Sequence, residues 1–292
     1  MKISLITVSF NAEATIADAM ESVCRQKLPE GVELEYIVVD GASKDGTVEK
    51  IKAFAEKMSS YASFRLCQGY GGQVGGFEGE KWVGGGEGLR NFSFRWVSEK
   101  DEGLYDAMNK GIRMSTGEVV GILNADDVLA DDETIAKIAR SFTDDVEAVY
   151  GDIRFVRDVS GVEAMRSARV VRYCTGKFFR KWMFRFGTFP AHPSTFVRRE
   201  MFEKHGLYSL EYSICADFEM MLRLFVKHGI RAKYMGICTT VMRTGGASTA
   251  GLRSNLEINR QDLRALRANG VWSCLGMIYL KYLGKVFGYI RR

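Results

Sequence analysis

Ile3-Ser4-Leu5-Ile6-Thr7-Val8-Ser9 is a compact, mostly apolar run, and Tyr36-Ile37-Val38-Val39 is a second one that closes on Asp40. Runs of this length suit buried strands. Between them Ile16, Ala19, Met20, Val23 and Cys24 recur at helical spacing. Thr15 with Asp18 three residues later reads as that helix's N-terminus. After the second strand, Asp45 can cap a helix starting at Thr47 and carrying Val48, Ile51 and Phe54. Strand, helix, strand, helix at this spacing predicts an α/β fold, with a mostly parallel sheet flanked by helices.

Working outward, the pattern breaks between residues 66 and 90. Glycines stand at 69, 71, 72, 75, 76, 79, 84, 85, 86 and 88. Each loses backbone entropy on ordering and supplies no side chain, so a flexible surface excursion is expected. Order resumes with a strand at Phe92–Val97, a helix at Tyr105–Ser115 and a strand at Val119–Leu123 that ends in Asn124-Ala125-Asp126-Asp127. A helix at Thr134–Phe142 and a strand at Ala148–Val156 follow. Gly206 is expected to end a short helix, and Gly229 a helix over Phe218–Lys227. Ser254 with Glu257 reads as a capping box for a helix running to about Asn269.

Composition excludes several classes. The chain has 292 residues, 46% hydrophobic and 26% charged, with a net charge of +5. That is ordinary for a globular protein and rules out disordered, collagenous and disulfide-framework chains. So small a charge excess does not suggest nucleic-acid binding. The six cysteines include no C-x-x-C pair, which argues against a zinc ribbon or thioredoxin-like motif and for reduced thiols. The N-terminal MKISLITVSF shows no secretory pattern, so a cytoplasmic location is expected.

Asp40, Asp126 and Asp127 all lie at strand ends, where ligands of open parallel sheets bind. Gathered carboxylates repel one another unless a cation or ligand hydroxyls sit among them. Such hard oxygen ligands favour Mn²⁺ or Mg²⁺. A dinucleotide enzyme would need G-x-G-x-x-G after the first strand, but the turn reads Ser9-Phe10-Asn11-Ala12-Glu13-Ala14. No P-loop motif occurs either.

Thr7-Val8-Ser9-Phe10-Asn11 followed by Val38-Val39-Asp40-Gly41-Ala42-Ser43-Lys44-Asp45-Gly46-Thr47 resembles the nucleotide-binding half of family 2 glycosyltransferases, which have the GT-A fold. The stretch from Ser98-Glu99-Lys100-Asp101 to Asn109-Lys110-Gly111 resembles the branch holding colanic-acid-type and other exopolysaccharide transferases. Asn124-Ala125-Asp126-Asp127 falls at that family's D-x-D motif, with Asn in the first acidic position. The resemblance implies a donor site of Thr7, Ser9, Asn11, Glu13, Asp40, Ser43, Asp101, Asn109, Lys110, Asn124, Ala125 and Arg243. It also implies a metal on Asp126 and Asp127, and Asp217 in Cys215-Ala216-Asp217-Phe218-Glu219 as the base that deprotonates the acceptor hydroxyl. His192 and Glu219 would lie beside the acceptor. Taken alone, Asp217 reads equally as a helix cap, and His192 as a structural histidine in a loop held by two prolines.

The implied activity is inverting, metal-dependent transfer of a hexosyl unit from a nucleotide-sugar, UDP favoured, to a saccharide or polyprenyl-linked acceptor. Absence of Q-x-x-R-W favours single-sugar addition. Alternatives are a sugar nucleotidyltransferase, which would need a glycine-rich basic loop after the first strand, and a degenerate nucleotide-sugar-binding scaffold. Residues 1–250 read as the transferase domain and 251–292 as C-terminal helices. In the tail, Trp272, Leu275, Ile278, Tyr279, Leu280, Tyr282 and Leu283 cover most of a helix surface. Lys281, Lys285 and Arg292 share one stripe. That pattern predicts a helix lying in a membrane interface, peripheral on the cytosolic face of the inner membrane. The alternative is a helix docked on the domain or on a second copy in a homodimer.

Overall fold

The computed structural model describes residues 1–59, 73–83, 87–244 and 251–290; side chains at 59, 73–83, 87–90, 251–254 and 283–290 are not described. The elements run β1 (Lys2–Ser9), α1 (Ile16–Cys24), β2 (Glu33–Asp40), α2 (Thr47–Ser59), β3 (Gln73–Val83), β4 (Glu87–Ser98), α3 (Leu104–Met114), β5 (Val119–Asn124), β6 (Val128–Leu129) and α4 (Thr134–Ser141). They continue through β7 (Ala148–Val156), α5 (Val162–Ser167), β8 (Val170–Cys174), β9 (Thr195–Arg198), α6 (Arg199–His205), α7 (Ala216–Leu222), β10 (Ala232–Arg243), α8 (Gly251–Ala268) and α9 (Leu275–Ile290). Sheet order is β3-β4-β2-β1-β5-β9-β7-β10-β6, with β8 paired to β7.

β4, β2, β1 and β5 are mutually parallel. Both faces of this central block are covered, which is why its strands are apolar on both sides. Alternate residues serve the two faces. Ile3 and Leu5 pack with α1, α2 and α4, whereas Ile6 and Val8 pack with α3, α7 and α8. The register aligns Ser9 with Asp40 and Asp40 with Ser98. Three strands therefore end in one row.

The glycine-rich segment departs from the expected surface excursion. β3 pairs antiparallel with β4 from Gln73 to Val83, and β4 begins at Glu87, ahead of Phe92. A ladder is built from backbone N–H and C=O groups, which glycine supplies as fully as any other residue. Residues 60–72 and 84–86 lie outside the described residues.

Thr15 stands at the N-terminus of α1 as expected, but two capping details differ. Thr15 flanks α1 but makes no side-chain cap to it, because its hydroxyl donates to Ala12 O and Asp18 is engaged elsewhere. α8 begins at Gly251, placing Ser254 within the helix and not at its N-cap. The basic tail stripe is broken as well. Lys281 turns inward to Asp262 at 2.8 Å, both groups nearly fully buried, beside the fully buried Ile278. Desolvated apolar packing against α8 draws that side of α9 onto the domain. Lys285 and Arg292 lie outside the described side chains. Among the described residues no helix is long and apolar enough to cross a membrane.

Candidate active site

The row of strand ends is tied by a single carboxylate. Asp40 is fully buried; its Oδ1 accepts from Ser9 Oγ (3.0 Å) and Ser43 Oγ (2.5 Å). Its Oδ2 accepts from Ser43 N (2.9 Å) and Ser98 Oγ (2.7 Å). A carboxylate offers about four lone-pair sites, and here all are occupied. Thr7 is also buried, accepting from the Tyr36 hydroxyl at 3.0 Å. Asp40, Ser9, Ser43 and Thr7 thus knit the strand ends together.

The two following turns are zipped side by side. Asn11 N donates to Ser43 Oγ, and Lys44 N donates to Asn11 Oδ1. Glu13 accepts from Gly46 N at 3.0 Å. Asn11 and Ala42 hold φ of 48° and 57°, a left-handed conformation that persists only where its surroundings enforce it. Next to Ala42, Gly41 leaves room for Asp101: a Cβ there would stand 2.5 Å from Asp101 Oδ2. Asp101 Oδ1 accepts from Gly103 N at 2.9 Å. Its Oδ2 has no hydrogen bond among the described residues, so it is directed at the edge of this rigid frame.

Asn109 and Lys110, placed in the donor site by sequence, are both engaged by other groups of the protein. Asn109 is buried and bonds both backbone groups of Tyr208. Lys110 braces the loop before α3 through Lys100 O (2.8 Å) and Glu99 (3.0 Å).

The Asn124–Asp127 turn separates its two acids. Asp127 is fully buried, with Oδ2 accepting from Asn124 Nδ2 at 2.8 Å and Oδ1 unpartnered. Burial, and then the charge of Asp126, push its carboxyl well above the usual range. Asp127 therefore underpins the turn, and Ala125 packs into the core. Asp126 is half-buried, and no hydrogen bond or ion pair is found for its carboxylate among the described residues.

Arg243 does not present a free guanidinium to a diphosphate. It is buried, pairs with Asp18 (2.5 Å) and Asp158 (3.2 Å), and donates to Asp126 O at 2.6 Å. It fixes the acidic turn from behind.

In the second half, Asp217 is half-buried in the first turn of α7. Its Oδ1 accepts from its neighbour Phe218 N (2.8 Å) and from the Tyr105 hydroxyl (3.1 Å). Its Oδ2 has no hydrogen bond among the described residues. Burial raises its pKa, opposed by those two donors. Tyr105 and Ser98 are the site residues that sequence reasoning passed over. Ser98 could have been found from the parallel register with Asp40, and Tyr105 from its place one turn beyond Asp101.

His192 and Glu219 are turned inward. His192 Nε2 lies 2.7 Å from the Tyr208 hydroxyl, and burial lowers its pKa to about 4, so it is neutral at pH 7. Glu219 is held by Arg223 (3.0 Å) and Asn269 (3.2 Å). Of the candidate site residues described, three half-buried carboxylates keep an available oxygen: Asp101, Asp126 and Asp217.

This arrangement has structural counterparts. The chain superposes on S. aureus TarS 1–349 in complex with UDP-GlcNAc with a TM-score of 0.58 at 15% identity, covering 91% of this chain and 66% of that one, just under two thirds. It superposes on the Pyrobaculum calidifontis mannosyltransferase PcManGT, in complex with GDP-Man and Mn²⁺, with a TM-score of 0.54 at 17% identity, covering 98% and 79%. The architecture is the GT-A arrangement of a mostly parallel sheet flanked by helices. The family model described as glycosyl transferase family 2 matches residues 4–75 and 91–206, and the chain belongs to that family: it is a glycosyltransferase. Residues 76–90, holding most of the β3–β4 hairpin, fall between the matched segments. A PGL/p-HBAD biosynthesis glycosyltransferase of Mycobacterium tuberculosis is 27% identical over 266 residues, 90% of this chain and 83% of that protein.

Proposed function

We propose that this enzyme transfers a single sugar, with inversion, from a nucleoside-diphosphate sugar, UDP-linked by preference, to a hydroxyl of a saccharide or lipid-linked acceptor. The observation that carries this reading is the half-engaged carboxylate of Asp217. One oxygen is anchored by Tyr105 and Phe218 and the other is available to a proton. In the step, the acceptor oxygen bonds to the anomeric carbon while its proton passes to Asp217 Oδ2. The bond from that carbon to the diphosphate breaks, and its electron pair leaves with the phosphate. Asp101 and the frame around Gly41 would receive the nucleoside portion.

The donor set fits a divalent cation. Asp126 supplies one unengaged carboxylate above a turn clamped by Arg243. Among the described residues no group of three or more His, Cys, Asp or Glu is gathered, so the remaining ligands would be diphosphate oxygens, as is usual for Mg²⁺. Bound there, Mn²⁺ or Mg²⁺ would neutralise charge on the leaving diphosphate. The Mn²⁺ and nucleotide complexes of the structural counterparts support this reading. Residues 1–250 act as the transferase domain in this scheme.

Asp217→Asn tests it. Transfer is expected to fall by about 10²–10⁴-fold, while thermal stabilisation by a UDP-sugar with Mn²⁺ persists. Unchanged transfer would remove Asp217 from the reaction.

A further inference from the structure

The outer side of α8 and the start of α9 combine charge with apolar surface. Arg260, Arg264 and Arg267 are exposed on α8 and, with Leu263 and Ala268, border a concavity closed by Leu275 of α9. In α9 and the turn before it, Trp272 is 69% exposed, and Tyr279 and Leu280 are nearly half exposed. On a water-facing surface such side chains cost free energy unless something covers them. The acids facing the same region are Glu257, which accepts from Gln261 (3.0 Å), and Glu211, which is paired with Arg264. Arg260 and Arg267 have no ion pair among the described residues.

We propose that this face docks on a bilayer containing anionic phospholipid. Arginines beside tryptophan and tyrosine suit the headgroup level, where the cations meet phosphate and the rings sit at the apolar boundary. The surface differs from the lysine stripe suggested by the tail alone, since Lys281 is committed to Asp262.

An adjacent side of α8, about a quarter-turn round from the arginines, points to the base. Gln261 Oε1 accepts from Ile214 N (3.1 Å) and Cys215 N (3.3 Å), immediately before Asp217. The helix that carries the docking face therefore also braces the segment that carries the base. The docking is independent of the assignment of Asp217: it concerns where the enzyme sits and not how it transfers sugar.

Flotation of the full chain with phosphatidylcholine vesicles, with and without phosphatidylglycerol, tests the proposal. Wild type is expected to float with the mixed vesicles and to be released by salt. Arg260→Ala with Arg267→Ala should lower partitioning by about 25-fold, from roughly 1 kcal/mol for each basic residue near an anionic surface. Trp272→Ser with Tyr279→Ser should weaken binding to both kinds of vesicle. Each variant should keep the wild-type melting temperature and its stabilisation by UDP-sugar, which separates lost docking from lost folding or a failed donor site. Failure of wild type to float, or variants that float like wild type, would overturn the proposal. So would light scattering that shows a dimer split by these substitutions, because a second copy would then cover the face.

Discussion

Asp40 is fully buried and Asp217 half-buried, and the two differ in how their oxygens are engaged. At the end of β2, four donors meet four lone pairs of Asp40, and three strands are tied together. At the start of α7, two donors meet one oxygen of Asp217 and leave the other available. A buried acceptor with all its partners contributes to stability, whereas one with an unmet oxygen can take up a proton or ligand. The contrast sorts the rest of the site. Arg243, Glu219, Asn109 and His192 belong with Asp40, and Asp101 and Asp126 belong with Asp217.

Arg243→Met gives the largest expected effect on stability. It removes a buried cation from Asp18 and frees the Asp126 carbonyl, costing about 4 kcal/mol in urea unfolding. Adding Asp18→Asn should recover part of that loss. A variant that unfolds like wild type but binds UDP-sugar poorly would move Arg243 to the other side of the comparison. Asp40→Asn is smaller, about 2 kcal/mol, because an amide NH₂ must face donors that now bond to an oxygen. If stability were unchanged and only nucleotide binding fell, Asp40 would be a ligand contact and not a strand tie.

The central block was legible because strand runs and helical periodicity agreed with each other, and β7 falls where the strand-like run Ala148–Val156 predicts it. The hairpin at Gln73 to Val83 was not, since its order comes from backbone pairing with β4, which leaves no side-chain pattern. The candidate site was legible as a set of positions: Asp40, Asp101, Asp126 and Asp217 lie at or just beyond element ends. Which of them keep an available oxygen was hidden. That depends on register, as in the alignment of Ser9, Asp40 and Ser98. It also depends on contacts remote in sequence, such as Arg243 with Asp18, 225 residues apart. Residue type says what a group can bond to, but only the fold says what has already bonded to it.

Tyr105→Phe probes the finer side of the comparison. The Tyr105 hydroxyl is shared between Ile214 O and Asp217 Oδ1. Its ring is fixed against Tyr208 at 5.8 Å, so phenylalanine should occupy the same space. A donor to a carboxylate favours the charged form, and here it offsets the upward push of burial on Asp217. Its loss should therefore raise the pKa of Asp217. One net hydrogen bond of about 1 kcal/mol corresponds to somewhat less than one pH unit. The acidic limb of kcat/KM should move to higher pH by that amount, with activity retained on the alkaline plateau where Asp217 is ionised in either protein. A uniform loss of kcat with an unmoved limb would show that Tyr105 holds the shape of the pocket and does not tune Asp217.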